Sequence, residues 1–504
     1  MSLTTRFGLV AGTTALAIAG TAFGGAESDN DALSQIAELK QELAELKQQD
    51  SQDWLTEQRA SEIRGIVQDV LADADTRTSF QNSGAMAGWN KGFFLASPDG
   101  NFRLNVGGLM QVRYTLNKAN GYTQAQGPNG AQPAGGIGQP QNIQTGAEYL
   151  YGFDMGNTYL DFSGHVVDPS WQFHLRGNFA GSSTNGNGNG MNTLSFASVT
   201  KDFGDGLGVT VGQFRGPWLR ETLVDDGDQL GMDRSLMNAY FTQGFDQGIQ
   251  LNWESEAMRA NVFYGDGVLQ GVNITGQQGS RFGGGTQNSP WNATNTSYAF
   301  AGRFEYKISG DWAIFDDFTS FKDEEGGMMV GVAGTYERGN QNADNSGVGG
   351  ANFNGTTAYG LTGDFSWEMG GANLFASFVW LGATGGQTTT SHPWGLNVQG
   401  GYFVTEDIEI FGRYEYINYD LENPALPDTD KFNGITLGAN YFMTSNVKFT
   451  AEFGINLKSF GSDNLNEGFR KDLSTSQVEI GGVMQKQKAE TDQWALRAQM
   501  QLMF

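Results

Sequence analysis

The sequence predicts an all-β protein: a 16-stranded antiparallel transmembrane β-barrel behind a short N-terminal α-helical coiled-coil segment. Three observations predict it, namely an alternating strand at residues 494–504, a composition poor in charge, and a regular succession of short and long connections. Charged residues are only 17 % of the chain, below the quarter that is usual in soluble globular proteins. Low charge with many aromatic residues is typical of a barrel whose outer face meets lipid.

Residues 494–504 alternate between an apolar and a polar face for eleven positions. This is the length of a tilted strand that crosses a bilayer, and an aromatic stands at each end of the apolar face, where membrane interfaces lie. A soluble edge strand is the alternative. We predict a final strand that closes the barrel against residues 102–116, with Met500 toward lipid and Gln499 toward the lumen. We assign Phe504 to recognition by the barrel-assembly machinery.

Composition argues against several classes of function. The formal net charge is −25 and there is no cysteine, so nucleic acid is a poor partner and disulfides or thiolate metal sites are excluded. The three histidines, His165, His174 and His392, have no metal-ligand spacing. The acids at 225–228 lack the spacing of a calcium loop. We predict no metal, no cofactor and no enzymatic activity.

The N-terminus predicts export. Residues 1–26 read as a signal peptide, because Arg6 precedes an apolar stretch at 7–19 and small residues at 24–26 offer a cleavage site. Cleavage after Ala22 is an alternative. We therefore expect the protein in the outer membrane, in contact with its lipids.

Residues 27–75 predict a periplasmic oligomerisation helix. Its apolar seam has the 3-4-3 spacing of a coiled coil and consists of Ile36, Leu39, Leu43 and Leu46. One chain cannot bury this seam alone, so we predict that it joins copies of the chain. The alternatives are a helix packed on the barrel mouth and a helix that contacts the cell wall. We assign 76–90 to a linker and 91–504 to the barrel.

The connections between alternating strands favour a closed barrel. Short connections near Asp168, Gly204 and Gly370 alternate with long ones such as 118–146 and 267–296, as in outer-membrane barrels. Taking 309–327 as an unusually long turn keeps the number of strands even. A barrel of this size leaves a water-filled channel.

The most informative connection follows V-T-V-G-Q-F-R-G-P-W-L-R-E at 209–221. Pro217 ends the strand because it cannot donate to the ladder, and apolar residues then alternate with charges. We predict that the loop packs its apolar side on the inner wall and presents its charges to the lumen. The predicted pore constriction consists of Arg215, Arg220, Glu221, Asp225, Asp226, Asp228, Asp233 and Arg234.

Other charges fall on the polar face of predicted strands and are expected to line the lumen. The basic ones are Arg103, Arg113, Arg176, Arg303 and Arg413, and the acidic ones are Asp161, Glu305, Asp364, Glu409, Glu415 and Glu452. With no basic ladder and a net charge of −3 over residues 216–244 (five acids against Arg220 and Arg234), we expect a weak cation preference or none.

Several of these stretches resemble the phosphate-selective porin O and P family. V-G-Q-F-R-G-P-W-L-R-E (211–221), D-R-S-L (233–236) and F-D-Q-G-I-Q-L (245–251) are similar to its motifs. The resemblance implies a homotrimeric 16-stranded porin whose loop after strand five forms the constriction. In it Arg215 and Glu221 match the basic and acidic positions of the strand-end motif, and Arg234 matches the second arginine.

The sequence departs from that family at residues 155–164, where several arginines are expected and no basic residue occurs. We therefore predict a porin for passive diffusion of small hydrophilic solutes or ions, with weak selectivity. The alternatives are an anion porin for phosphate or polyphosphate and a structural outer-membrane anchor.

Overall fold

The computed structural model divides the chain into two compact units, Met1–Ser83 and Gly84–Phe504. It describes residues 40–41, 85–89, 92–120, 147–180, 193–242, 244–269, 296–339, 356–384, 392–420, 431–458, 478–480, 483–485 and 494–504. In the first unit Lys40 and Gln41 are helical, and the predicted signal peptide and the rest of the predicted helix lie outside the described residues.

The second unit is built almost entirely from strands. The strands before the constriction loop are β1 (Met86–Trp89), β2 (Phe93–Ala96), β3 (Arg103–Asn120), β4 (Ala147–His165), β5 (Trp171–Asn178), β6 (Thr193–Gly204) and β7 (Leu207–Phe214). Those that follow it are β8 (Asp246–Glu254), β9 (Met258–Gly265), β10 (Thr296–Ser309), β11 (Gly327–Gly339), β12 (Thr357–Glu368), β13 (Ala372–Thr384), β14 (Trp394–Phe403), β15 (Ile408–Asn418), β16 (Lys431–Thr444), β17 (Val447–Lys458) and β20 (Trp494–Met503). A separate small hairpin pairs β18 (Val478–Ile480) with β19 (Val483–Gln485).

Strands β3–β17 and β20 pair antiparallel, each with its neighbour in sequence, and β20 pairs with β3 to close the ring. This confirms the predicted 16-stranded antiparallel barrel for the part of the chain that is described. At the seam, the Phe504 N–H donates to the Gly108 carbonyl at 3.1 Å, and the Phe504 carbonyl accepts the Gly108 N–H at 2.9 Å. Below that point β2 pairs with the first residues of β3. Strand β1 thus lies inside the range that the sequence assigns to a linker.

The two ends of the barrel differ as predicted. Short turns join β4 to β5, β6 to β7 and β16 to β17 at one end, and the longer connections lie at the other. At the short-turn end, residues 310–326 form the long turn expected between β10 and β11, and it contains a 3-10 helix at Trp312–Phe315. Among the described residues, no helix combines the length and apolarity needed to cross a bilayer.

Side chains alternate along the strands between an outer apolar face and an inner polar one. On β20, Met500 is 46 % exposed on the outer face whereas Gln499 is 3 % exposed on the inner face, which agrees with the predicted facing. Inner residues of β10–β17 and β20 are largely buried, although a 16-stranded barrel is wide enough for water. Something other than the wall must therefore cover them.

Candidate constriction site

The covering element is the connection between β7 and β8, residues 215–242, called the constriction loop below. It folds inward and contains α1 (Arg220–Leu223), a 3-10 helix (Asp226–Asp228) and α2 (Leu236–Phe241). Ser235 caps α2 by accepting the Asn238 N–H at 3.0 Å. Glu221 in turn accepts the Ser235 N–H and hydroxyl, each at 2.5 Å. The loop is thus braced internally by a carboxylate that is 1 % exposed.

The apolar side of the loop packs on the inner wall, as the sequence predicts. Loop residues Trp218, Leu219, Leu236, Met237 and Phe241 join wall residues Ala301, Ala333, Ala358, Val379 and Leu381 in one buried cluster. The wall residues facing the largest rings are small. At Gly360 an added Cβ would lie 2.9 Å from the Trp218 ring, so glycine is needed for this close approach. Each large side chain buried here stabilises the inserted loop by roughly 1.5–3 kcal/mol.

Asp233 fastens the loop to the seam of the barrel. Its two carboxylate oxygens each accept from Arg113 at 2.9 Å, and Oδ2 also accepts from Arg497 at 2.5 Å. Burial opposes ionisation of this carboxyl, but Arg113 and Arg497 outweigh it and hold the pKa of Asp233 well below its usual range. All three side chains are nearly inaccessible to water, so this group anchors the loop.

Arg220 and Glu221 also face protein. Arg220 donates to the Phe315 carbonyl of the long turn 310–326. Glu221 lies 3.8 Å from Arg413 on β15 and accepts from Asn397 on β14 at 3.3 Å. The same turn reaches the loop a second time, because the Phe318 N–H donates to the Asp228 carbonyl at 3.1 Å. The turn and the loop therefore meet inside the barrel.

A second set of charges lies where the loop faces the remaining open space. Arg176 on β5 and Arg215 both bind Asp225, Arg215 and Arg234 both bind Asp226, and Arg176 also binds Asp161. Burial opposes ionisation of Asp225, yet Arg215 and Arg176 keep its pKa well below the ordinary value. Arginines and aspartates alternate through this cluster, so the charges are balanced rather than arranged as a one-sign ladder.

Asp228 has a different environment. Burial and the nearby Asp225 raise the pKa of its carboxyl to about 6, against the opposing effect of Lys448. Lys448 itself donates to the carbonyls of Gly227 and Gln229, each at 3.1 Å. Within the described part of the chain Asp228 forms no ion pair with an arginine, and it carries a weaker negative charge near neutral pH than its neighbours.

In the described part of the chain, three cavities lie beside the loop. The largest, about 710 Å³, lies against β4–β8, and its polar lining includes Ser163, His165, Gln172, His174, Ser198, Thr200, Thr210 and Gln250. The second, about 420 Å³, is lined in part by Arg103, Asp161, Arg176 and Asp225. The third, about 200 Å³, is lined in part by Arg215, Asp226, Asp233 and Arg234. The described residues that line this largest cavity include one arginine, Arg215, and no lysine, aspartate or glutamate.

Comparison with known proteins decides the family. The model of the family described as "Phosphate-selective porin O and P" matches residues 141–481. The chain belongs to this family. Its strands and its inward loop are those of an outer-membrane channel for passive diffusion, so this porin is a channel rather than an enzyme by family and fold.

Several solved structures of outer-membrane proteins and channels resemble this porin. An anion-selective porin from Comamonas acidovorans is 14 % identical, with 80 % of this chain and 99 % of the other covered and a TM-score of 0.45. The outer-membrane channel DcaP of Acinetobacter baumannii is 11 % identical over 83 % and 100 %, with a TM-score of 0.46. The trimer form of OmpT from Vibrio cholerae is 10 % identical over 80 % and 99 %, with a TM-score of 0.44. No curated protein matches the chain.

The residues predicted for the constriction lie in two different environments in the structure. Arg215, Asp225, Asp226 and Arg234 come together beside open space, whereas Arg220 and Glu221 line none of the three cavities. The prediction that the loop presents its charges to the lumen is thus wrong for part of the loop. Wall arginines from strands that are distant in sequence pair with several loop charges, because the loop crosses the barrel and meets those strands.

The residues predicted to line the lumen also divide. Arg176 and Arg103 line the 420 Å³ cavity of this porin. Arg303 is fully covered and forms a bidentate pair with Asp364, with both bonds at 2.8 Å. Arg413 donates to the Asp233 carbonyl at 2.9 Å. Arg303, Arg413 and Arg113 therefore lie behind the loop instead of facing open water.

Sequence reasoning missed two cations of this site, Arg497 and Lys448. Both fall on the polar face of a strongly alternating strand, which was a usable signal for an inward position. Their partners could not be read from that signal, since Asp233 and Gly227 are more than two hundred residues away along the chain. Within the described residues no group of acids or histidines could hold a metal ion.

Proposed function

We propose that this porin passes small hydrophilic solutes with weak ion selectivity. The observation that carries the proposal is the polar lining of the 710 Å³ cavity, which among the described residues consists mainly of hydroxyl, amide and imidazole groups and includes Arg215 but no carboxylate. The charges behind the loop are paired with one another or with the loop, so they contribute little net charge near that cavity. The charges beside the open space are paired one with another. A weak cation preference or none follows.

The experiment is single-channel recording in planar bilayers with a potassium chloride gradient. We expect a conducting pore whose reversal potential lies close to zero, and conductance alone also rejects the alternative of a structural anchor. A strongly anion-selective wild-type pore that millimolar phosphate blocks would overturn the proposal.

A second candidate is the phosphate or polyphosphate porin that the family description names. Arg176, Arg215 and Arg234 favour it, because three guanidinium groups at a constriction are the groups that bind phosphate bidentately. The aspartates bound to all three argue against it in the wild type. The phosphate arm of the same recording distinguishes the two candidates.

We further propose that this porin is a homotrimer to which the predicted helix at 27–75 contributes. The support is the Ile36–Leu46 seam and, on the barrel, the outer face of β4, where Tyr151 and Phe153 are 73 % and 79 % exposed. Leu39→Asp combined with Leu43→Asp should lower the temperature at which the trimer dissociates on semi-native gels. An unchanged temperature would leave the helix another role, such as contact with the cell wall.

A further inference from the structure

The carboxylate of Asp225 sits between two arginines in the manner of a bound anion. Arg176 donates Nη1 to Oδ1 and Nη2 to Oδ2, both at 2.7 Å, and Arg215 donates Nη2 to Oδ1 at 3.0 Å. The Tyr159 hydroxyl approaches Oδ2 at 3.4 Å. Parallel bonds from a planar guanidinium are the arrangement with which arginine recognises free carboxylates and phosphates.

The two arginines are held by groups other than Asp225. Arg176 lies over the Tyr159 ring at 3.9 Å and also pairs with Asp161. Arg215 donates to the Val224 carbonyl at 3.1 Å and pairs with Asp226 at 3.2 Å. The guanidinium groups are therefore positioned independently and would keep their places if the Asp225 carboxylate were removed.

Asp225 is the part of this arrangement that faces water. Its side chain is 32 % exposed, against 5 % for Arg176 and 6 % for Arg215. Asp225 and Arg176 line the 420 Å³ cavity, and Arg215 lines the other two. Removing the carboxylate would thus open both arginines to ions arriving through the lumen.

We infer that Arg176 and Arg215 form a binding site for small oxyanions, such as phosphate, sulfate or a carboxylate, and that Asp225 occupies it as an internal anion. A tethered group competes at an effective concentration on the order of millimolar or more, so dilute anions do not displace it. The inference rests on the proposed function, because it explains why a pore with clustered arginines is weakly selective. Asp225 is then the residue that sets specificity at the constriction.

The test compares Asp225→Ala with Asp228→Ala in the full-length protein in planar bilayers, with inorganic phosphate as the probe. Both changes remove one carboxylate from the same loop, but only Asp225 lies between arginines. We expect phosphate to block chloride current through Asp225→Ala at a concentration at least tenfold lower than through wild type. Asp228→Ala should shift the reversal potential slightly and gain no phosphate block. The double variant Arg176→Gln, Asp225→Ala should lose the block again.

Asp225→Asn supports the comparison if the alanine variant does not insert, because its side-chain oxygen can still accept the Asp226 N–H as Asp225 does at 2.8 Å. We expect an intermediate phosphate block for this variant. Equal behaviour of the position-225 and position-228 variants, or no block in either, would overturn the inference. The wild-type reversal potential tests the proposed weak selectivity separately, so the two ideas can fail independently.

Discussion

The two sides of the barrel share the same alternating strand pattern, but the surroundings of their inner faces differ. We call β10–β17 with β20 the filled half and β4–β9 the open half. In the filled half inner side chains such as Arg303, Glu452 and Gln499 are 2–3 % exposed beneath the loop and the long turn. In the open half inner residues such as Ser198, Thr200 and Gln250 are half-buried and face the large cavity.

The difference between the halves lies in the chemistry of their inner faces. The filled half carries most of the inward charges, and they bind the loop or one another, whereas the open half is mostly neutral and polar next to the cavity. The inward charges of the filled half are therefore neutralised within the wall or by the loop. Water and solute in the large cavity contact the mostly neutral wall of the open half. Substitutions in the loop, on the outer face and on the inner face of each half test this comparison between the halves.

The largest effect is expected from Asp233→Ala. This change leaves Arg113 and Arg497 buried without their shared carboxylate, and removing one partner of a buried ion pair typically costs about 3–5 kcal/mol. We expect a marked loss in the free energy of unfolding, measured by urea titration in lipid vesicles, together with larger and noisier conductance as the loop detaches. Asp407→Ala, at an exposed position in a short turn, is the control and should change neither quantity.

A charged substitution on the outer face should have the second largest effect. A charge on the lipid face costs about 2–4 kcal/mol near the midplane, so Met500→Arg should impair insertion, measured as the folded fraction on semi-native gels. Normal insertion of this variant would mean that the assigned outward direction of Met500 is wrong.

A substitution to arginine on the inner face should have a larger effect on stability in the filled half than in the open half. Gln499 accepts bonds from Arg113 at 3.1 and 2.9 Å, so Gln499→Arg places a third cation beside Arg113 and Arg497 in a packed region and should cost about 1–3 kcal/mol. Ser198→Arg points into the cavity of the open half and should stay within about 0.5 kcal/mol of wild type. Similar unfolding free energies for the two variants would contradict the division into halves. From the sequence alone, both side chains would be expected to face the lumen.

The smallest effect concerns pH at the long turn 310–326. Burial raises the pKa of Asp317 to about 8, and Asp228 and Glu324 add to the rise while the Thr319 N–H and Lys448 oppose it. Because the packed turn favours the protonated acid, its stability is full below the ordinary carboxyl pKa and is lost as pH rises through about 8. Hydrogen exchange at the Phe318 amide should therefore be several-fold faster at pH 9 than the intrinsic rate change predicts. Asp317→Asn should remove this extra acceleration.

Much of the barrel was determined by the sequence alone, because the two-residue alternation of a lipid-facing strand is a local property. The final strand, its facing at Met500 and Gln499, the even number of strands and the long turn at 309–327 all followed from such local patterns and are confirmed. The inward loop was predictable for a similar reason, since Pro217 ends a strand and the apolar residues beyond it need a wall to pack on.

Only the tertiary structure decided which charges face water. Asp233 and Asp225 lie eight positions apart in one loop, yet the first is enclosed by arginines of β3 and β20 and the second meets Arg176 at the edge of a cavity. Counting the loop as −3 could not reveal this, because the neutralising cations come from strands far away in sequence. The net charge of a segment is additive along the chain, whereas the field at a pore depends on distances and burial that exist only after the barrel has closed.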